Sequence, residues 1–135
     1  MSPGVPPNPT GGLSKDRRVR RHSDYRRIQE YGARLQTRHF IFILANRPPG
    51  TDPTPGARLG MVVSRKVGNA VARNRVKRLL REAFRAAGSM FREGLDVVVI
   101  ARSIEPDWSL GDVIAEWGAA EDRLKRLSAR LALAR

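Results

Sequence analysis

Apolar positions along this chain change their period several times, and each change predicts an element. From His39 to Leu44 aromatic and β-branched residues run together, which predicts a strand. Leu59 to Val63 predicts a second strand. Leu95 to Ala101 predicts a third, apolar on both alternating faces except at Asp96, as suits a central position in a sheet. Between the second and third, from about Asn69 to Ala87, the spacing switches to three and four. Ala72, Val76, Leu79, Leu80, Ala83 and Ala87 then share one side of a helix.

Two further helices bracket this unit. Ser23 offers an N-cap to a short helix carrying Tyr25, Ile28 and Tyr31, which Gly32 stops. Ser109 and Asp112, three apart, open a capping-box-like start. Val113, Trp117, Ala120, Leu124, Leu127 and Leu131 follow as a core-facing stripe in which Trp117 is a packing residue. The predicted fold is α+β, an α/β sandwich: one small mixed sheet packed with three helices, with a strand–helix–strand crossover. General chirality makes about 98% of such crossovers right-handed.

Proline and glycine set the boundaries. Met1 to Gly12 holds Pro3, Pro6, Pro7 and Pro9 with three glycines, so residues 1–14 are expected to form a disordered arm and residues 15–135 one domain. Arg47 to Gly56 contains four prolines, which remove donors and fix the backbone, and is expected to be a loop. A chain of 135 residues supports one modest core.

Charge changes the picture most. The chain carries 26 Lys and Arg against 13 Asp and Glu, a formal net charge of +13. An excess of that size predicts salt-dependent attraction to nucleic acid. On the central helix Lys77, Arg81, Asn74, Arg85 and Arg78 fall within an arc of roughly 100° opposite the apolar side. Most charged helix faces are merely solvated, but here Glu82 is the only carboxylate between Lys66 and Arg85. Pairing along the helix therefore cannot neutralise the face, and arginine's planar fork favours phosphate oxygens. The best chemical reading is nucleic-acid binding, with Arg65, Lys66, Arg73, Asn74, Arg75, Lys77, Arg78 and Arg81 as the candidate residues. Arg73 and Arg75 sit at the edges of the arc and are candidates to buttress neighbouring elements.

Other chemistries are poorly supported. His22 and His39 lack a nucleophile at motif spacing, and no metal-ligand cluster appears. With no cysteine there is neither a disulfide framework nor a thiol nucleophile, which agrees with a cytoplasmic location. No apolar run approaches the roughly 20 residues that span a bilayer. A structural RNA-binding protein of ribosomal type is a rival reading. A DNA-binding helix-turn-helix is another, disfavoured because the central helix is flanked by predicted strands.

The order Val67, Ala70, Arg73, Asn74, Arg75, Val76, Lys77, Arg78, Leu80 and Arg81 resembles the signature of the protein subunit of bacterial ribonuclease P. The basic opening before Ser23, Asp24 and Tyr25, the strand at 38–42, the run at 60–66 and the strand at 96–102 also occur in that family's order, so the resemblance covers residues 17–131. It implies a left-handed crossover, against the general rule. It also implies a subunit of the ribonucleoprotein that removes the 5′ leader of precursor tRNA. In that family the RNA subunit, with bound Mg2+, performs the phosphodiester hydrolysis. The implied partners are that catalytic RNA and precursor tRNA, with no membrane and no obligate protein partner.

The resemblance further implies a cleft for the single-stranded leader between the first helix and the sheet, with Tyr25, Ile43, Val62, Ser64 and Lys66 at cleft positions. This chain departs from the family pattern at two of its aromatic sites. Gln29 stands one helical turn after Tyr25, and Ile43 stands where a tyrosine can occur, so stacking is expected to be weaker. Phe40 and Phe42 share one face by alternation, with the core favoured over the cleft.

Overall fold

The computed structural model describes residues 18–48, 50, 56–105 and 107–133; the proline-rich stretch at 1–14 and most of the loop at 47–56 lie outside them. The elements run α1 (His22–Tyr31), β1 (Ala33–Gln36), β2 (Phe40–Asn46), β3 (Arg58–Val63), α2 (Ala70–Ala87), β4 (Leu95–Ala101), α3 (Leu110–Ala119) and α4 (Glu121–Leu133). The four strands lie in the order β1-β2-β4-β3, antiparallel except that β3 and β4 are parallel and joined through α2. The mixed sheet and the strand–helix–strand unit are those expected, and the helix-turn-helix alternative is excluded because strands flank α2.

Three details differ from expectation. β1 is an additional edge strand, too short for its alternation to stand out in the sequence. The last helix is two helices, α3 and α4, broken at Ala120, whose backbone departs from helical geometry while its side chain remains in the core. The described residues therefore form four α-helices rather than three. Finally, Arg21 occupies the N-cap of α1 with no side-chain cap, and Ser23 lies in the first turn. The chain reaches α1 already tied down, because Val19 N–H donates to Leu59 O at 2.8 Å and Arg18 bridges Leu59 in parallel on the outer edge of β3.

Strand alternation assigns each residue to one of two cores. Phe40, Phe42, Leu44, Leu59, Val97 and Val99 face α2, α3 and α4, with Val76, Leu80, Phe84, Trp117 and Leu124 packed on them. Phe40 and Phe42 are wholly buried, and both make edge-on or tilted contacts with neighbouring rings including Trp117. The Ser109–Asp112 capping box closes in both directions. Among the described residues the opposite face of the sheet is covered by α1 and the segment before it, Ile28 and Val19 packing on Ile43, Ala45 and Val98. Burying Ile28 removes the whole side chain from water and holds α1 down by about 1.5–3 kcal/mol.

Candidate nucleic-acid interface

α1 crosses the sheet and covers only part of it. Strand register arranges the α1-side residues in cross-strand rows. Arg34, Ile43, Val98 and Gly60 make the row beneath the helix, and Gln36, Ile41, Ile100 and Val62 make the row beside it. The first row is covered: Ile43 and Val98 are fully buried. The second is half open, with Ile41, Ile100 and Val62 only partly buried against the small core. The result is an apolar groove along one flank of α1.

Contacts on both flanks set the position of α1 on the sheet. The Tyr25 hydroxyl accepts the Met61 N–H at 3.1 Å, an edge donor of β3 that no strand pairs. Its ring lies over Gly60, where an added Cβ would stand 3.0 Å from three ring atoms. Burial pushes the Tyr25 hydroxyl above its usual pKa, although the Met61 contact opposes the shift. On the other flank Arg27 donates to Asp96 Oδ2 at 2.6 Å and to Asn46 O at 3.1 Å, while Arg58 grips both Asp96 oxygens at 2.7 Å. At the end of α1, Gly32 is extended rather than left-handed. Glycine is required there by close approach, since a Cβ would meet Ile28 O and Ile43 Cγ2 at 2.5 Å.

The basic element starts where β3 ends. Ser64 Oγ accepts the Lys66 N–H at 3.2 Å and holds the 3₁₀ turn Arg65–Val67. Gly68 then turns at φ 147°, in the region that favours glycine, and Asn69 Oδ1 caps α2 by accepting the Ala72 N–H at 3.0 Å. Val76, Leu79, Leu80, Ala83 and Phe84 are buried, and the opposite side shows Asn74 and Arg78 exposed with Lys77 and Arg81 half exposed. Burial and the nearby Arg18 and Arg78 depress the Arg81 guanidinium below its usual pKa, against a smaller opposing effect of Glu82. Like charges thus crowd this face, and Arg18, arriving from the segment before α1, adds to them.

The predicted residues divide into groups. Arg65, Lys66, Asn74, Lys77, Arg78 and Arg81 are exposed or half exposed along one continuous path from the β3 end onto α2. Arg73 and Arg75 also hold structure: Arg73 Nη1 donates to Gly68 O at 3.2 Å, and Arg75 Nη2 donates to Trp108 O. Tyr25, Val62, Ser64 and Lys66 lie around the groove. Ile43 does not, and its assignment to the cleft is corrected: the residue is fully buried beneath α1 and offers no surface to a base. Sequence reasoning missed Ile41 and Ile100, the middle of the open row. Alternation from Ile43 and Val98 puts them on the same face, but only the pairing of β2 with β4 puts them side by side. Among the described residues, no three His, Asp or Glu side chains converge into a metal-binding group, and no helix is long and apolar enough to cross a membrane.

An α+β sandwich that carries a row of basic side chains on one helix, beside an apolar groove that runs into them, has the make-up of a nucleic-acid-binding protein. The sequence profile of the family described as Ribonuclease P matches residues 13–125. A ribonuclease P protein component from Syntrophus aciditrophicus is 38% identical over 106 residues, covering 78% of this chain and 85% of the relative. One from Desulfovibrio desulfuricans is 44% identical over 91 residues, covering 67% of each. Among solved structures, the Staphylococcus aureus RNase P protein superposes with a TM-score of 0.67 at 30% identity, covering 81% of this chain and 95% of the other. The Thermotoga maritima protein does so at 0.65 and 31%, covering 81% and 96%. This chain belongs to the Ribonuclease P protein family.

Proposed function

We propose that this chain is the protein subunit of a ribonuclease P ribonucleoprotein, an endoribonuclease of tRNA 5′ maturation, and that it binds two RNAs at once. α2 and the turn before it neutralise phosphates of the catalytic RNA through Arg65, Lys66, Asn74, Lys77, Arg78 and Arg81, with the remaining donors of Arg73 and Arg75 adding to them. The groove beside α1 holds the single-stranded 5′ leader of precursor tRNA. Hydrolysis is carried out by the RNA subunit with its Mg2+; no step is assigned to a side chain of this protein.

The observation that carries this reading is the junction of the two surfaces. Lys66 lies where β3 passes into α2, so the apolar row ending at Val62 runs directly into the cationic helix. Each phosphate neutralised releases counterions, which makes assembly strongly salt-dependent. Along the groove, Tyr25 presents a ring edge beside Gly60, and Ile41, Ile100 and Val62 present aliphatic surface that accepts base faces without reading their edges. Such a floor tolerates any leader sequence, as stacking platforms do.

The decisive experiment is reconstitution with the cognate RNA subunit and precursor tRNA at low magnesium, scored for a mature 5′ end and for affinity with and without the leader. Restored cleavage with a leader-dependent gain in affinity supports the reading. A protein that binds RNA but restores nothing would instead be a structural RNA-binding protein of ribosomal type.

A further inference from the structure

We propose that the edge strand β1 is a second leader-binding subsite, in which Arg34 contacts a leader phosphate and Gln36 a base edge upstream of the nucleotides over Ile100 and Val62. This deepens the leader-cleft reading and rests on it.

The geometry comes from the register. Gln36 is paired with Ile41, Ile41 with Ile100, and Ile100 with Val62, so the open row extends unbroken across all four strands to the sheet's free edge. Leu35 packs on the large core, which turns Arg34 and Gln36 to the α1 side. Both are exposed, and Arg34 takes part in no ion pair among the described residues. At the other end of the row stand Ser64 and the exposed Lys66. The groove therefore has Lys66 beyond one end and Gln36 at the other, with Arg34 two residues from Gln36 on the same side of β1, and an apolar floor between.

Three inter-strand spacings make the floor about 14 Å long. At about 3.4 Å per stacked nucleotide that length takes about four nucleotides. The β3 end adjoins α2, the surface assigned to the catalytic RNA, so the cleavage-proximal end of the leader lies there and its 5′ end points toward β1. Gln36 carries a donor and an acceptor in one plane, the pair that recognises a base edge rather than its face. An otherwise aliphatic floor thus acquires one position able to discriminate among bases, at its distal end.

The test uses the holoenzyme reconstituted with cognate RNA subunit and a series of precursor tRNAs whose leaders grow from one nucleotide to ten. Binding is measured for wild type, the double variant Arg34→Ala with Gln36→Leu, and Arg34→Lys. For the double variant the ratio of its Kd to that of wild type should stay low for leaders of up to about three nucleotides. It should rise to about fivefold or more once the leader reaches β1, with a loss of about one in the salt slope for one phosphate contact. Arg34→Lys should retain most of the affinity, because it keeps the charge. A ratio that is flat across the series, whether at one or at a uniform loss, overturns the subsite while leaving the cleft intact. Wild-type affinity independent of leader length overturns the cleft itself, and the subsite with it. Equal thermal midpoints for the free proteins establish that a length-dependent loss comes from binding and not from folding.

Discussion

Asp96 shows how much one residue decides. It is a carboxylate in a strand that is otherwise apolar, it is fully buried, and it receives Arg27 from α1 and Arg58 from β3. The hydrogen bonds that Arg58 donates to Asp96 raise the Arg58 pKa above its usual value in spite of partial burial. Arg47 Nε lies 3.7 Å from the same carboxylate, so three guanidinium groups converge on one acid. Removing the acid leaves those cations facing each other in a poorly hydrated place. Asp96→Asn is expected to cost about 3–5 kcal/mol, the usual consequence of breaking a buried pair, read as a lower urea midpoint. α1 should loosen first, since Arg27 keeps only Asn46 O as its partner on the sheet, and leader discrimination should weaken beyond what global stability explains.

At the scale of elements, α2 carries two kinds of arginine that the sequence alone cannot fully separate. Its helical wheel already puts Arg73 and Arg75 at the margins of the basic arc, and the structure gives them backbone carbonyls to hold, Gly68 O and Trp108 O. The second contact ties α2 to the segment leading into α3. Arg78 points to solvent on the same helix. Arg75→Ala should therefore lower the melting temperature, by an amount equivalent to about 1.5–3 kcal/mol for a hydrogen bond from a charged donor, and weaken RNA binding as well. Arg78→Ala should leave melting unchanged and reduce the salt slope of RNA binding by about one. Equal melting temperatures for the two variants would refute the distinction.

For the whole molecule the relevant quantity is the chain's net charge of +13. Self-repulsion of that size makes the few internal acids matter, and Glu116 is one of them. Its carboxylate receives Thr37 Oγ1 at 2.5 Å, His39 Nδ1 at 2.7 Å and His39 N–H at 2.8 Å, pinning α3 to the turn between β1 and β2. Burial pushes the Glu116 carboxyl up, but those three hydrogen bonds together hold it below the usual value of 4.5. A depressed pKa means that the folded form releases the proton more readily than the unfolded chain. The contribution is complete above pH 4.5 and is lost as pH falls through the lower folded value. Thermal midpoints measured across the acid range should fall in that window for wild type, and Glu116→Gln should flatten that part of the profile while lowering the plateau.

Much of this architecture is legible from local pattern. The β2, β3 and β4 segments, the basic helix, the Ser109 capping box and the Trp117 stripe all follow from periods of two and of three to four, because such periods reflect which side of an element meets the core. So does the cationic side of α2, since helical spacing alone aligns its charges and leaves Glu82 as their only internal counterweight. Tertiary pairing decided the rest. It turned β1 into the sheet's edge, split the last helix at Ala120, buried Ile43 beneath α1 and opened the row from Gln36 to Val62. Those outcomes depend on contacts between residues far apart along the chain. Whether an isoleucine on a given face is floor or foundation is determined by the helix laid across it, and no spacing within its own strand encodes that.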